Sequence, residues 1–255
     1  MLLLNYCSQF ACQTLFDTGV ANKRRLVSVN DIQQAVGDDV AQALPALHAF
    51  TGCDAVSAFI RKGKITPYRI TKGNSCFLET FKNLGLSPDF VSEATHKELQ
   101  KFVCTLYGFP KDTDPNCVRS QMFQSRYTTK SREALSTAPN VGIDMSLLPP
   151  CSSSLRKHSE RANYQAFIWR NAHVQHPVLP AADGNGWCVD DVGNLQVKWT
   201  DGDIMPQNIV DIIAESMELT CPDATDWLPQ EVEEDDAVDS IIDVLFDDEW
   251  DSDGQ

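Results

Sequence analysis

The sequence predicts an α/β beginning, then a mainly α-helical region carrying a small β-hairpin, and finally an acidic disordered tail. Three observations predict it. Residues 24–29 (Arg24-Arg25-Leu26-Val27-Ser28-Val29) alternate with the two-residue period of a strand. From Ile65 to Tyr107 the apolar residues recur at helical spacing. No Lys, Arg or His follows Lys198, whereas residues 199–255 carry 19 Asp and Glu, a composition that cannot bury enough apolar surface to order itself.

The elements follow in order. Met1–Leu4 reads as the stub of a buried strand. Leu15-Phe16-Asp17-Thr18-Gly19 and the strand from Arg24 then form a hairpin across the polar turn Ala21-Asn22-Lys23. Asn30 or Ser28 caps a helix opening at Asp31-Ile32, and Gly37 closes it. Asp38 and Asp39 suit the N-terminal dipole of the next helix, which runs through Leu44 to Phe50. Pro45 lies in its first turn or else divides the segment. A second short helix is expected after Asp54, then the basic turn Arg61-Lys62-Gly63-Lys64.

Ile70, Cys76, Phe77, Phe81, Leu84 and Leu86 fit helical spacing, Ser87-Pro88 starts the next segment, and Leu99, Phe102, Val103, Leu106 and Tyr107 continue the pattern to Gly108-Phe109-Pro110. Residues 110–118 read as a turn-rich linker, followed by a short helix with Met122, Phe123 and Tyr127. The Pro/Ser-rich stretch 136–154 is a connector. A helix over 155–172 sets Arg156, Lys157, Arg161 and Arg170 among Leu155, Tyr164, Phe167 and Ile168. After the break at Gly184–Gly186, Trp187-Cys188-Val189 and Leu195–Trp199 flank Asp190–Asn194 as a β-hairpin, and 208–217 reads as an amphipathic helix. From Asp223 to Asp253 there are 14 acids and no bases, with one apolar cluster: Ile241, Ile242, Val244, Leu245, Phe246 and Trp250. Residues 221–255 are expected to be disordered, and residues 241–250 to suit a protein groove.

The formal charge of −15 conceals a division. Residues 1–198 hold all 21 Lys and Arg against 17 Asp and Glu, a net of +4, so an acidic average does not exclude contact with nucleic acid. Nine cysteines without a C-x-x-C pair read as reduced, buried, intracellular thiols, in the nucleus or cytoplasm, and their spacing is poor for zinc. His173 and His176 read as dipole-favoured residues at a helix C-terminus. No run of 18 apolar residues occurs, so no membrane span is expected. The start has no basic n-region, and Asn5, Ser8, Gln9 and Gln13 interrupt its apolar run, unlike a signal peptide.

One stretch, Ala43 to Lys72, orders its residues as chemistry would need them. An apolar helix enters Gly52-Cys53-Asp54 a few residues ahead of Arg61-Lys62-Gly63-Lys64. A helix that delivers a carboxylate before a Lys/Gly turn suits metal-dependent work on a nucleic-acid backbone. The same residues also describe an ordinary helix C-cap at Gly52 with a solvated basic loop behind it. His48, on an apolar helix, reads as a core residue.

The Gly52-Cys53-Asp54 block, with Ser57-Ala58-Phe59 and Arg61-Lys62-Gly63-Lys64, resembles the flap-endonuclease-like branch of the PIN-domain nucleases. The chain also resembles a family of mostly uncharacterised animal proteins. Its blocks are Phe16-Asp17-Thr18-Gly19 with Asn22-Lys23-Arg24-Arg25, Leu47 to Asp54, Arg161-Ala162-Asn163-Tyr164-Gln165-Ala166 with Ile168-Trp169, and Gly186-Trp187.

The resemblance implies an α/β remnant over residues 1–72, the C-terminal part of a PIN/flap-endonuclease-like domain. A helical extension over 73–135, a linker over 136–154, a helix plus β-hairpin module over 155–220 and the tail over 221–255 complete the division. In the resembling proteins an Asp-x-Asp pair precedes a strand like Met1-Leu2-Leu3-Leu4, so the chain is expected to be N-terminally truncated, with an exposed apolar sheet edge. Of the acidic ligands for Mg²⁺ or Mn²⁺ only Asp54 carries over. Arg61, Lys62 and Lys64 would contact a DNA or RNA backbone, with Gly52 and Gly63 forming the turns. The implied function is a catalytically incomplete nuclease-like protein that retains weak backbone binding. The other expectation is a non-enzymatic interaction protein acting through its acidic, aromatic tail.

Overall fold

The computed structural model describes residues 2–7, 12–89, 91–126 and 144–201. Among them the chain forms eight α-helices and two antiparallel hairpins. The helices are α1 (Leu2–Tyr6), α2 (Val29–Val36), α3 (Asp38–Phe50), α4 (Ile65–Gly73), α5 (Ser75–Asn83), α6 (Glu93–Leu106), α7 (Pro115–Arg126) and α8 (Ser152–Arg170). The strands are β1 (Leu15–Thr18), β2 (Arg25–Ser28), β3 (Trp187–Val189) and β4 (Leu195–Val197).

The expected first hairpin forms, pairing Phe16 with Val27 and Asp17 with Leu26, and the Arg24 guanidinium pairs with Asp17 across its end. It gains no third strand among the described residues, and Leu15, Phe16 and Leu26 stay exposed. The expected strand at Met1–Leu4 is instead helix α1. An apolar run this short fits either period, and here the helix buries Leu4 and Tyr6 while α1 lies against α3.

Ser28 makes the cap predicted for α2, accepting from the Asp31 amide at 3.3 Å, and Gly37 at φ +87 turns the chain into α3. Helix α3 is the centre of the core and packs on α5 and α8. Ala43, Leu44, Ala46, Leu47, Ala49 and Phe50 are each at most 2% exposed. Pro45 neither sits in the first turn nor divides the segment; it lies inside one unbroken helix of 13 residues. Only the Ala41 carbonyl loses its helical donor there, and the burial around it outweighs that loss. The Phe50 ring meets Phe59 at 5.5 Å, Phe81 at 5.6 Å, Phe102 at 5.9 Å and His158 at 5.1 Å.

Three further boundaries depart from expectation for local reasons. Helix α6 starts at Glu93, not at Ser87-Pro88, because Ser92 accepts from the Thr95 amide at 3.1 Å. Ser87 instead accepts from the Asp89 amide at 3.2 Å in a side-chain turn. Helix α7 begins inside the expected linker 110–118: Pro115 takes the first helical position and Asp114 accepts from the Asn116 amide at 2.8 Å. Helix α8 ends at Arg170, so His173 and His176 lie beyond it, and His173 Nδ1 is 3.0 Å from the Tyr6 hydroxyl. Tyr127, residues 136–143 of the 136–154 connector, the 208–217 helix, the apolar cluster at 241–250 and the 221–255 tail lie outside the described residues.

Helix α8 holds much of the molecule through buried polar side chains. Arg170 donates to the carbonyls of Gln42 (2.9 Å), Phe81 (3.1 Å), Lys82 (3.0 Å) and Leu84 (3.1 Å), closing the C-terminus of α5. Asn163 accepts from the Gly85 amide at 2.8 Å and donates to Ser87 and Asp89 carbonyls, both at 3.0 Å. Arg161, 2% exposed, donates to the carbonyls of Gly186 at 3.0 Å and Lys198 at 2.8 Å, which docks the β3–β4 hairpin. Its guanidinium also lies 5.3 Å from the centre of the Trp199 ring.

Arg161→Lys keeps the charge but loses the planar fork. It is expected to cost about 1.5–3 kcal/mol in urea unfolding and to speed amide exchange in residues 187–198 first. Unchanged exchange there would contradict the docking role.

Candidate binding groove

The sequence stretch singled out for its chemistry becomes one wall of a groove of about 740 Å³. Helix α3 ends at Phe50, and Gly52 at φ +111 redirects the chain. Only glycine fits: a Cβ on Gly52 would stand 2.6 Å from the Cα of Ala58. The short helix expected after Asp54 does not form. Cys53 and Val56 instead exchange backbone hydrogen bonds of 2.8 and 3.1 Å in a tight turn, with Asp54 and Ala55 exposed at its tip. Asp54 is therefore carried on a turn, and it is the one carboxylate among the described residues that line the groove.

Lys64 closes this loop. Its ammonium donates to the His48 carbonyl at 3.1 Å, to Thr51 Oγ1 at 3.0 Å and to the Gly52 carbonyl. These are terminal carbonyls of α3, so the charge sits at the negative end of that helix dipole. Thr51 Oγ1 in turn donates to the Leu47 carbonyl at 2.7 Å. The Lys62 ammonium lies 4.6 Å from the centre of the Tyr107 ring, a cation–π distance. Burial pushes the Tyr107 hydroxyl up to about 12.

The left-handed residue of the basic turn is Arg61, at φ +57. Gly63 has no positive φ, and open space surrounds its Cβ position. The groove thus brings together Gly52, Asp54, Lys62, Gly63 and Lys64, while Arg61, exposed, is not among the residues that line it.

The opposite wall comes from far downstream: Gln165 and Trp169 of α8 and Val197 of β4. These residues carried no site signal of their own, although Gln165 and Trp169 belong to one of the blocks that carry the resemblance. His48 lies 8% exposed, its ring 5.4 Å from that of Trp169. Burial, reinforced by the Lys64 charge, pushes its pKa down to about 3. It is a neutral core residue, as its apolar helix suggested.

The residues do not fit a two-metal centre. Such a centre needs several carboxylates around the ions, but Asp54 alone lines the groove and no three described His, Cys, Asp or Glu gather to hold a metal. No described helix is long and apolar enough to cross a membrane. The eight described cysteines are free thiols. No family model, curated protein or solved structure matches the chain.

Proposed function

We propose that this protein binds the phosphate backbone of single-stranded nucleic acid along the groove at the end of α3, without cleaving it. The observation that carries the reading is the convergence of Lys62 and Lys64 with a single carboxylate, Asp54, on one groove. Arg61 beside it adds a further exposed cation. Lys64 acts as a fixed charge, since its donors meet the oxygens of α3. Direct phosphate contacts fall to Arg61 and Lys62. Contacts of this type fix position and do not read bases, so the binding is sequence-independent. Asp54 would serve at most as one weak ligand to Mg²⁺ or Mn²⁺.

The test is fluorescence anisotropy with labelled single-stranded DNA and RNA. Two phosphate contacts predict that log K falls against log salt with a slope of about −1.4. The double substitution Arg61→Ala/Lys62→Ala is expected to remove most of that slope. Asp54→Ala, which deletes an anion, should leave affinity equal or slightly tighter. Affinity indifferent to salt would overturn the reading, as would Mn²⁺-dependent cleavage that Asp54→Ala abolishes.

A further inference from the structure

We infer that the groove is covered by the chain's own acidic segment 241–250, which docks there in cis. Three features of the molecule select this occupant. The first is chemistry on the groove side: Lys62 and Lys64 supply positive charge beside an apolar surface of Trp169 and Val197. That surface continues along the β3–β4 hairpin, where Val189 and Leu195 are each 51% exposed. A purely ionic ligand would leave it uncovered, so the groove suits a segment that is both acidic and apolar.

The second is that one stretch of this sequence has that composition. Ile242, Leu245, Phe246 and Trp250 fall at i, i+3, i+4 and i+8, with Asp243, Asp247, Asp248, Glu249 and Asp251 between and after them. No Lys, Arg or His occurs in the same region to pair with those acids. The complementary cations lie in the body, whose first 198 residues carry a net +4.

The third is geometry. Val197 lines the groove, and the described chain leaves from Asp201, held to Lys157 at 2.8 Å and Lys198 at 2.7 Å. The chain beyond Asp201 thus continues from the hairpin whose Val197 lines the groove, and about forty residues separate Asp201 from Ile241. Tethering at such a distance raises the effective concentration of the segment, so a weak contact is enough to fill the site. The segment is a polyanion, and it would compete with nucleic acid for the same cations. Docking itself does not depend on the binding reading.

Cys53 reports on the cover. It is half-buried on the groove wall, while Cys76 is exposed and Cys104 buried elsewhere, so the full-length chain holds its own references. The experiment compares N-ethylmaleimide labelling of each cysteine, by peptide mass spectrometry, in the wild type, in Phe246→Asp/Trp250→Asp and in Lys62→Glu. A cover in place four-fifths of the time predicts labelling of Cys53 about fivefold faster in both variants, with Cys76 and Cys104 unchanged.

A Cys53 rate unchanged in the tail variant overturns the proposal. Faster labelling of Cys104 as well overturns it too, since the tail would then support the fold and not cover the groove. Protection of Cys53 that grows with protein concentration assigns the occupant to a second copy and overturns docking in cis. Salt-dependent DNA binding measured on the same variants separates the two readings. Its absence with Cys53 unmasked removes only the nucleic-acid reading, and its presence with Cys53 unaffected removes only the tail.

Discussion

Acidification from pH 7 to pH 5 is expected to lower the stability of this protein steeply, because three buried histidines stay neutral in the fold. His158 is enclosed by the rings of Phe50 and Phe59, and its Nε2–H donates to the Phe50 carbonyl at 2.7 Å. Burial brings its pKa down to about 4 against the opposing pull of that hydrogen bond. Burial likewise lowers His96 to about 4, helped by Arg156, and His48 to about 3.

In the unfolded chain all three titrate near the ordinary value of about 6.5. Above that pH neither state binds the protons and stability is level. Below it the unfolded state binds more, so stability falls with falling pH until the folded sites titrate between about 4 and about 3. Each histidine contributes a slope of up to about 1.4 kcal/mol per pH unit, so the three together reach about 4. Urea midpoints at pH 7, 6 and 5 measure it. His158→Gln keeps an N–H for the Phe50 carbonyl but does not titrate, and it should remove about a third of the slope. A midpoint that is flat across this range would contradict the neutral core histidines.

Gly52→Ala is expected to be the most damaging small substitution in the groove, at about 3 kcal/mol or more, combining backbone strain with overpacking. The φ of +111 resists any L side chain, and the new methyl would meet the Ala58 backbone and Cβ at 2.6 Å. Neither wall can yield alone, since the Gly52 carbonyl is also held by Lys64. Gly63→Ala is the matched control: its Cβ position is open and its φ ordinary, so it should be neutral or stabilise by about 0.4–1 kcal/mol through the unfolded chain. Thermal melts of the two single variants decide it. Equal losses would mean that the turn geometry is wrong.

The contrast between these glycines shows what the sequence could and could not reveal. Both stood in the stretch of greatest interest, and their residue type gave them equal claim to a turn. What separates them is the path of the backbone after α3, which depends on how closely Ala58 returns to Gly52. Elements written in local code were legible: the β1–β2 hairpin from alternation, the start of α2 from Ser28, the β3–β4 hairpin from its Asp/Gly/Asn turn. Elements decided by distant partners were not. Lys64 read as a phosphate contact because nothing nearby says that its ammonium reaches back to His48 and Gly52. Arg161 and Arg170 read only as basic residues set among the packing residues of a helix, with no partner to name, because their carbonyl partners lie 25 to 128 residues away. The far wall of the groove was hidden for the same reason. Trp169 sits in one of the blocks behind the resemblance, but only the packing of α8 on α3 brings it opposite Cys53.

Helix α8 has a consequence for how the protein is made. It lies late in the chain, and its side chains complete segments synthesised long before it: Arg170 serves Gln42 and the end of α5, Asn163 serves Gly85, and His158 serves Phe50. On the ribosome, α3 and α5 emerge with these carbonyls and amides still turned to water, and their final burial waits until residue 170 has cleared the exit tunnel. Closing contacts across such separations is slow compared with helix formation. The nascent chain therefore passes through a period in which its most apolar helix is translated but uncovered, and in which chaperone capture or aggregation competes with completion.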